Sequence, residues 1–174
     1  MSADDTRTRF SVRISYSDDS DGVSELLQAS YSSLFGPAYS TDVLCQALAS
    51  DHPCKPPAVG IRRILRRGSR PGQIVRCGGW SFDYPGTENV AGTGQFRHFA
   101  THPDWLRRGV GRALLSETVS QAADRGIRTL ECQSSLVAVE FYRSQGFSVI
   151  NQSTLHLTSG VVIPSVHMRR SIAS

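Results

Sequence analysis

The chain has 174 residues, of which 39% are hydrophobic, so it is long enough to bury one substantial core without disulfides or a structural metal. The formal net charge of +4 comes almost wholly from arginine, because Lys55 is the only lysine among 19 basic residues. No apolar run approaches the length that spans a membrane, and the first residues lack the apolar core of a secretory signal. We therefore expect a cytoplasmic protein with a single domain over residues 1–174.

The hydrophobic pattern alternates between strands and helices along the chain. We expect strands at residues 11–15, 61–65, 74–82, 94–101, 127–132, 147–150 and 164–169. We expect helices through Val23, Leu26, Leu27 and Ser30, at residues 42–49 behind a cap at Ser40 or Thr41, and through Leu115, Val119 and Ala122. Three prolines make residues 50–60 a loop. This order predicts an α/β (α+β) fold, in which helices flank both faces of a mixed central sheet.

Glycines and cysteines inside these elements need separate explanations. Gly78 and Gly79 interrupt a strand, so we expect a bulge or close packing there. The four cysteines form no Cys-x-x-Cys pair and no zinc spacing, and we interpret Cys45, Cys54, Cys77 and Cys132 as reduced, mostly buried thiols. His52 lies close to Cys54 without matching a zinc pattern. We predict no metal site.

Residues 62–70 carry the densest arginine cluster and are a candidate for nucleic-acid binding. Aliphatic residues before a Gly-Ser-Arg-Pro-Gly turn, with more after it, instead favour an exposed hairpin. The segment also contains no aromatic residue on which a base could stack. We therefore expect neither nucleic acid nor membrane as a partner. A nucleic-acid binder would lose affinity steeply with salt.

Residues 107–115 (Arg-Arg-Gly-Val-Gly-Arg-Ala-Leu-Leu) place two glycines at the start of an amphipathic helix that ends near Gly126. Exposed amides and the helix dipole predict an anion site there. A P-loop is excluded, because no Gly-Lys-Ser/Thr is present. A Rossmann fingerprint fits poorly, although Glu131 stands at a suitable distance for a ribose, because Leu114 replaces the third glycine. Residues 102–106 also separate the strand from the glycines.

The remaining pattern, Arg/Gln-x-x-Gly-x-Gly/Ala, is met by residues 108–113, and here the chain resembles the GCN5-related N-acetyltransferases. Residues 99–105 (Phe-Ala-Thr-His-Pro-Asp-Trp) are similar to the strand end and turn that precede the family's pyrophosphate loop. Residues 130–132 and 135–147 are similar to its fifth strand, fourth helix and closing Tyr-x-x-x-Gly-Phe. Two motifs in the right order over residues 94–150 are far more specific than one Gly-x-Gly.

The resemblance implies that an acyl group, usually acetyl, moves from acetyl-CoA to an amine. It implies that the backbone of Phe99, Ala100 and Thr101 pairs with the pantetheine arm and polarises the thioester carbonyl. The pyrophosphate would be held by Arg107, Arg108, Gly109, Val110, Gly111, Arg112 and Ala113. Ser135 stands where the family often has a cofactor-contacting asparagine, and a helix N-cap is its alternative role.

The resemblance also gives Tyr142 the role of proton donor to the departing thiolate, with a core aromatic as the alternative. The family's usual base position holds Gln95, which cannot ionise. We take His98 as the candidate base, although its parity along the strand differs from that of Gln95 unless a bulge intervenes. Ordered water and three further side chains stay open as proton acceptors: Asp83, Glu88 and His102.

No motif identifies the acceptor. The single-domain length and the lack of a peptide-recognition motif favour a small-molecule amine, and a homodimer stays open. Two other functions are alternatives: an acyl-CoA-binding sensor without activity, and the arginine-rich nucleic-acid binder considered above.

Overall fold

The structure is a computed structural model that describes residues 10–36, 38–40, 62–66, 73–82, 90–156, 160 and 162–172. Several predictions lie outside these residues. They are the helix at residues 42–49, the proline-rich loop, the turn at residues 67–72, Cys45, His52, Cys54, Asp83 and Glu88.

The described residues form a seven-stranded sheet in the order β1-β2-β3-β4-β5-β7-β6. The strands are β1 (Phe10–Ile14), β2 (Arg62–Arg66), β3 (Ile74–Ser81), β4 (Thr93–Thr101), β5 (Thr129–Ser135), β6 (Ser148–His156) and β7 (Val162–Ser171). Neighbours pair antiparallel except β4 and β5, which run parallel. The mixed sheet is thus confirmed, and so is the pairing of the arginine-rich strand β2 with β3. The prediction ended β6 at residue 150, because its polar, largely exposed second half carries little hydrophobic signal.

Helices cover both faces of the sheet, as predicted. On one face, α1 (Ser20–Leu34) packs Val23 and Leu26 against β3 and β4. On the other face lie α2 (Val110–Asp124) and α3 (Val139–Ser144). The largest apolar cluster is on this second face and contains Trp80, Phe96, Leu115, Leu130, Cys132, Tyr142, Phe147 and Met168. None of the described helices is long and apolar enough to span a membrane.

A bulge in β4 explains the glycines of β3. Cys77 pairs with Ala100 and Gly79 pairs with Arg97, so both His98 and Phe99 lie opposite Gly78. His98 takes a left-handed backbone with φ 54°, which is uncommon outside glycine. A β-carbon built on Gly78 would lie 2.6 Å from Cδ2 of Phe99, so only glycine leaves room for that ring. Both expected reasons for the glycines, a bulge and close packing, are therefore confirmed.

The parallel pair β4 and β5 separates part-way along the sheet. Its paired rows run only from Thr93 with Thr129 to Gln95 with Glu131. β4 continues to Thr101, while β5 stays paired with β7 as far as Ser135 opposite Ser165. An opening therefore begins after the Gln95–Glu131 row, and it leaves the edge of β4 that faces β5 without a strand partner in the described part of the chain. Four residues of β5 beyond that row span about 13 Å.

Gly78→Ala should lower the free energy of unfolding by about 1–3 kcal/mol, because the added methyl group overlaps the ring of Phe99. Gly36→Ala is the matched control, since a β-carbon there meets nothing within 4 Å and its φ is not positive. Urea unfolding of both variants measures the difference. Equal stabilities would show that Phe99 can move aside without cost.

Candidate functional site

The loop before α2 is anchored to the sheet by Trp105. Residues Pro103–Trp105 form a 3-10 turn, and Trp105 is buried with Val75, Val110 and Leu114. The guanidinium carbon of Arg108 lies 5.0 Å from the centre of the Trp105 ring. The predicted aromatic approach to the loop is thus a packed turn that fixes where α2 begins.

The start of α2 presents backbone donors. Gly109 is its N-cap with φ 74°, and Arg107 also has a positive φ of 57°. The Ala113 N–H donates to the Gly109 carbonyl over 3.0 Å and closes the first helical turn. By helix geometry, the amides of the three residues before Ala113 lack an intrahelical acceptor, and left-handed residues next to them favour an anion-binding concavity. Three exposed arginines surround this turn: Arg107, Arg108 and Arg112.

Gly111 faces inward rather than into solvent. A β-carbon on it would lie 2.8 Å from Nη1 of Arg76 and 2.9 Å from Cε2 of Phe141. The second glycine of the motif is therefore required for packing, in addition to any close approach of a ligand. Its inner neighbour, Arg76, is a residue that the sequence analysis missed.

Arg76 is a buried guanidinium beneath the first turn of α2. It is only 6% exposed, its Nη1 donates to Oγ1 of Thr101, and its Nε has no hydrogen-bond partner. Its guanidinium carbon lies 5.3 Å from the ring centres of both Phe99 and Phe141. Burial lowers the pKa of Arg76 to about 10. The only sequence signal was an arginine within the apolar strand β3.

The three residues at the end of β4 have different surroundings. Phe99 packs edge-on against Phe96 at 4.8 Å between ring centres, and Thr101 receives the hydrogen bond from Arg76. Ala100 faces α1 on the opposite side of the sheet. The backbone of all three lies on the stretch of β4 beyond its last row with β5. This edge can accept an extended ligand as an added strand.

Tyr142 lies in α3 on the core face of the sheet. It is 6% exposed, and its ring lies 5.2 Å from that of Phe147 and 6.5 Å from that of Phe99. Burial raises the pKa of Tyr142, and the nearby charge of Arg76 opposes this increase only in part. The phenol is therefore protonated at neutral pH, as a proton donor must be. Its burial in the aromatic cluster also agrees with the core role kept open above.

The other predicted site residues are more scattered. Ser135 ends β5 and stands at the N-cap of a 3-10 turn, but its side chain makes no capping hydrogen bond. His98 occupies the bulge, where its carbonyl accepts a hydrogen bond from Sγ of Cys77 over 3.1 Å. His102 caps the turn before the loop, with Nδ1 accepting the Asp104 N–H over 3.3 Å. A bulge does intervene at His98, so simple alternation along β4 does not decide whether its side chain shares a face with Gln95.

A polar cluster that the sequence analysis did not predict lies on the face of the sheet opposite Tyr142. Glu131 on β5 accepts hydrogen bonds from the two neighbouring strands: Gln95 on β4 at 3.2 Å, and His167 at 3.0 Å and Arg169 at 2.8 Å on β7. Burial raises the pKa of Glu131, but the hydrogen bonds from Arg169, Gln95 and His167 outweigh it and hold the pKa below its ordinary value. The family's usual base position is therefore occupied by an amide, Gln95, which donates a hydrogen bond to the carboxylate of Glu131. Only the pairing of β5 with β7 reveals this cluster.

Comparison with known proteins assigns the family. Residues 64–149, about half of the chain, match the family model described as the acetyltransferase (GNAT) domain. The chain belongs to the GNAT family of acetyltransferases. This places it among the acyltransferases. A comparison with the sequences of curated proteins gives no match.

Solved GNAT structures share its fold. A GCN5-related N-acetyltransferase from Rhodopseudomonas palustris has 20% identity and a TM-score of 0.71, over 92% of this chain and 94% of its own. The PaiA N-acetyltransferase from Thermoplasma acidophilum, solved with coenzyme A, has 13% identity and a TM-score of 0.71, over 94% and 99%. The ribosomal-protein-S18-alanine N-acetyltransferase from Escherichia coli has 16% identity and a TM-score of 0.62, over 95% and 96%. At these identities the likeness shows the fold.

Arg76→Met should leave the free energy of unfolding of the free protein unchanged or raise it by about 1 kcal/mol. The substitution loses the hydrogen bond to Thr101 and the contacts with two aromatic rings, which lowers the free energy of unfolding. It also removes a buried charge that has no ionic partner among the described residues, and this gain in stability offsets the loss. Arg13→Met is the control, because the half-exposed Arg13 pairs with Asp19 at 3.1 Å and its loss should cost up to about 1 kcal/mol. Urea unfolding compares the variants. A loss above about 2 kcal/mol in Arg76→Met would contradict this account.

Proposed function

We propose that the protein transfers an acetyl group from acetyl-CoA to a primary amine of a small-molecule acceptor, by direct attack of the amine on the thioester. The observation that carries this proposal is that three features are linked through Phe99 and Arg76, beside the stretch of β4 that lies beyond its last row with β5. They are the unpaired edge of β4, the amides at the start of α2 and the Tyr142 phenol. Acetyl-CoA supplies the activated acyl group. An ammonium group and a thioester give an amide, a thiol and one proton.

The residues around the start of α2 suit the diphosphate of coenzyme A. The amides of Val110, Gly111 and Arg112 can donate to phosphate oxygens, and the exposed arginines can pair with them. Arg76 adds a buried positive charge with an unsatisfied Nε directly beneath the turn. A buried cation without a carboxylate is costly in the free protein, and a bound anion reduces that cost. The pantetheine arm pairs with the backbone of β4 from Phe99 to Thr101.

Tyr142 is the proton donor in this proposal. A thiolate leaves more readily once it is protonated or hydrogen-bonded, and the raised pKa keeps the phenol protonated. Phe99 lies between the β4 edge and the Tyr142 ring, which links the proposed pantetheine site to the phenol.

The acceptor amine must also lose protons, since an amine is mostly protonated near neutrality. Gln95 cannot receive them, so ordered water or a histidine takes this role, and His98 is the candidate on β4. We further propose a cytoplasmic location, in keeping with the free thiols of Cys77 and Cys132.

Acetyl-CoA at a hundredfold excess over its Kd should stabilise the wild-type protein by about 2.7 kcal/mol, which a thermal melt detects as a raised Tm. Arg76→Met should weaken binding tenfold or more and reduce this shift, because a hydrogen bond to a charged group contributes about 1.5–3 kcal/mol. Arg13→Met should retain the full shift. An unchanged Tm of the wild type at millimolar acetyl-CoA would overturn the proposed cofactor.

Tyr142→Phe should lower kcat by about 10²–10⁴-fold and leave the Kd of acetyl-CoA nearly unchanged, because the hydroxyl acts only as sulfur departs. Tyr16→Phe is the control, since Tyr16 is exposed and far along the chain from the opening. Single-turnover kinetics and calorimetry give the two constants. Equal kcat in wild type and Tyr142→Phe would assign Tyr142 to the core alone.

An acetylation screen tests the function itself. Small amines, polyamines, aminoglycosides and short peptides are incubated with acetyl-CoA, and release of coenzyme A thiol is followed. We expect turnover with at least one small primary amine. Turnover with peptides alone would contradict a small-molecule acceptor, and tight acetyl-CoA binding without any transfer would favour the sensor function.

A further inference from the structure

We propose that His167, oriented by Glu131, is the general base that removes the proton of the acceptor amine. This inference rests on the proposed function, since it concerns the acceptor side of the same opening. His167 would be the catalytic residue that touches the acceptor, and Glu131 a positioning residue that acts through it. The supporting observations are the faces of three strands, the hydrogen bonds around one carboxylate, and the point where β4 leaves β5.

Alternation along the strands divides the two faces of the sheet chemically. On β5 and β7 the side chains of Leu130, Cys132 and Met168 enter the apolar core beneath α2 and α3. Their neighbours Glu131 and His167 therefore point to the opposite face. That is the face on which α1 packs against β3 and β4. It carries polar side chains across β4, β5 and β7, unlike the apolar face around Tyr142.

The carboxylate determines which nitrogen of His167 is available. Nε2 lies 3.0 Å from Oε2 of Glu131, and an ionised carboxylate can only accept. Nε2 of the neutral ring therefore carries the proton, and Nδ1 presents its lone pair. A carboxylate that holds one ring nitrogen while the other takes a proton is an effective arrangement for a histidine base, because it also stabilises the protonated ring.

The surrounding groups keep the carboxylate ionised and in place. Arg169 donates to Oε1 of Glu131 through Nε at 2.8 Å and Nη2 at 2.6 Å, and Gln95 donates to Oε2 at 3.2 Å. Glu131 on β5 contacts His167, Arg169 lies two residues further along β7, and Gln133 and Asn151 are the partners of His167 across β5 and β6. The His167 and Glu131 side chains are 23% and 13% exposed, so a ligand can reach the ring while the carboxylate stays shielded.

The position of this pair suits proton removal beside the thioester. Glu131 occupies the last row in which β5 pairs with β4, so the pair lies at the closed end of the opening. Tyr142 lies on the core side of the sheet, with its ring 6.5 Å from that of Phe99 on β4. A base on one face and an acid on the other allow the amine to approach from the face of α1 while sulfur is protonated from the face of α3.

The proton balance is simple. His167 Nδ1 takes one proton from the ammonium group and releases it to solvent before attack. The nitrogen loses a second proton as the amide forms, and His167 accepts this one and also releases it to solvent. Tyr142 gives one proton to sulfur and regains one from solvent, so the overall reaction releases a single proton.

The experiment measures kcat/KM against pH with the best amine from the screen. In the wild type, kcat/KM should rise with pH to a plateau once the base has lost its proton. His167→Ala should lower kcat/KM by about 10²–10⁴-fold, remove this plateau, and be partly rescued by added imidazole. Glu131→Gln should lower the rate and shift the plateau, whereas His156→Ala, at an exposed position on β6, should match the wild type.

Two outcomes separate this proposal from the proposed function. If the wild type acetylates no amine, the proposed function fails. If the wild type is active but His167→Ala keeps its rate and plateau, or His98→Ala alone removes the plateau, His167 is not the base. A 15N NMR measurement is independent of activity: the wild-type ring of His167 should carry its proton on Nε2, and Glu131→Gln should reduce that preference. A ring protonated on Nδ1 in the wild type would overturn the proposal.

Discussion

The separation of β4 from β5 is the constraint on which the site depends. Two parallel strands share only three rows, and beyond them β4 passes through the bulge at His98 and Phe99 while β5 remains paired with β7. The bulge in turn requires the space that Gly78 provides. Since a sheet edge seeks hydrogen-bond partners, this opening gives an extended ligand a backbone surface inside the domain rather than at its rim.

The two faces of the opening have opposite chemistry. The face of α2 and α3 is an aromatic core, in which a phenol holds its proton because burial disfavours the phenolate. The face of α1 carries a carboxylate whose three donors favour its charged form. The apolar surroundings therefore keep the Tyr142 phenol protonated on one side, and hydrogen bonds keep the Glu131 carboxylate ionised on the other. This difference arises from simple alternation along β5, where Leu130 and Cys132 flank Glu131.

Local sequence patterns were sufficient to predict much of the fold and the loop that precedes α2. The glycines, the His-Pro-Asp-Trp turn and the Tyr-x-x-x-Gly-Phe ending are contiguous patterns, so their conformations can be predicted without knowing what packs against them. Arg76 could not be predicted as a site residue, because its burial depends on Gly111, 35 positions later. Likewise Glu131 meets His167 and Arg169 only through the register of β7. Contacts between residues on distant strands depend on which strands pair and in which register. The alternation of apolar and polar residues along one strand does not specify either.

The arginines around the start of α2 also couple the protein to ionic strength. Three exposed guanidinium groups and the buried Arg76 gather at one helix end, whose dipole is itself positive. Their mutual repulsion is screened by added salt, so salt should favour the ligand-free fold. The same screening weakens their attraction for a phosphorylated ligand. Free and ligand-bound forms should therefore respond to salt in opposite directions, and the ion concentration around the protein becomes a determinant of how fully the site is occupied.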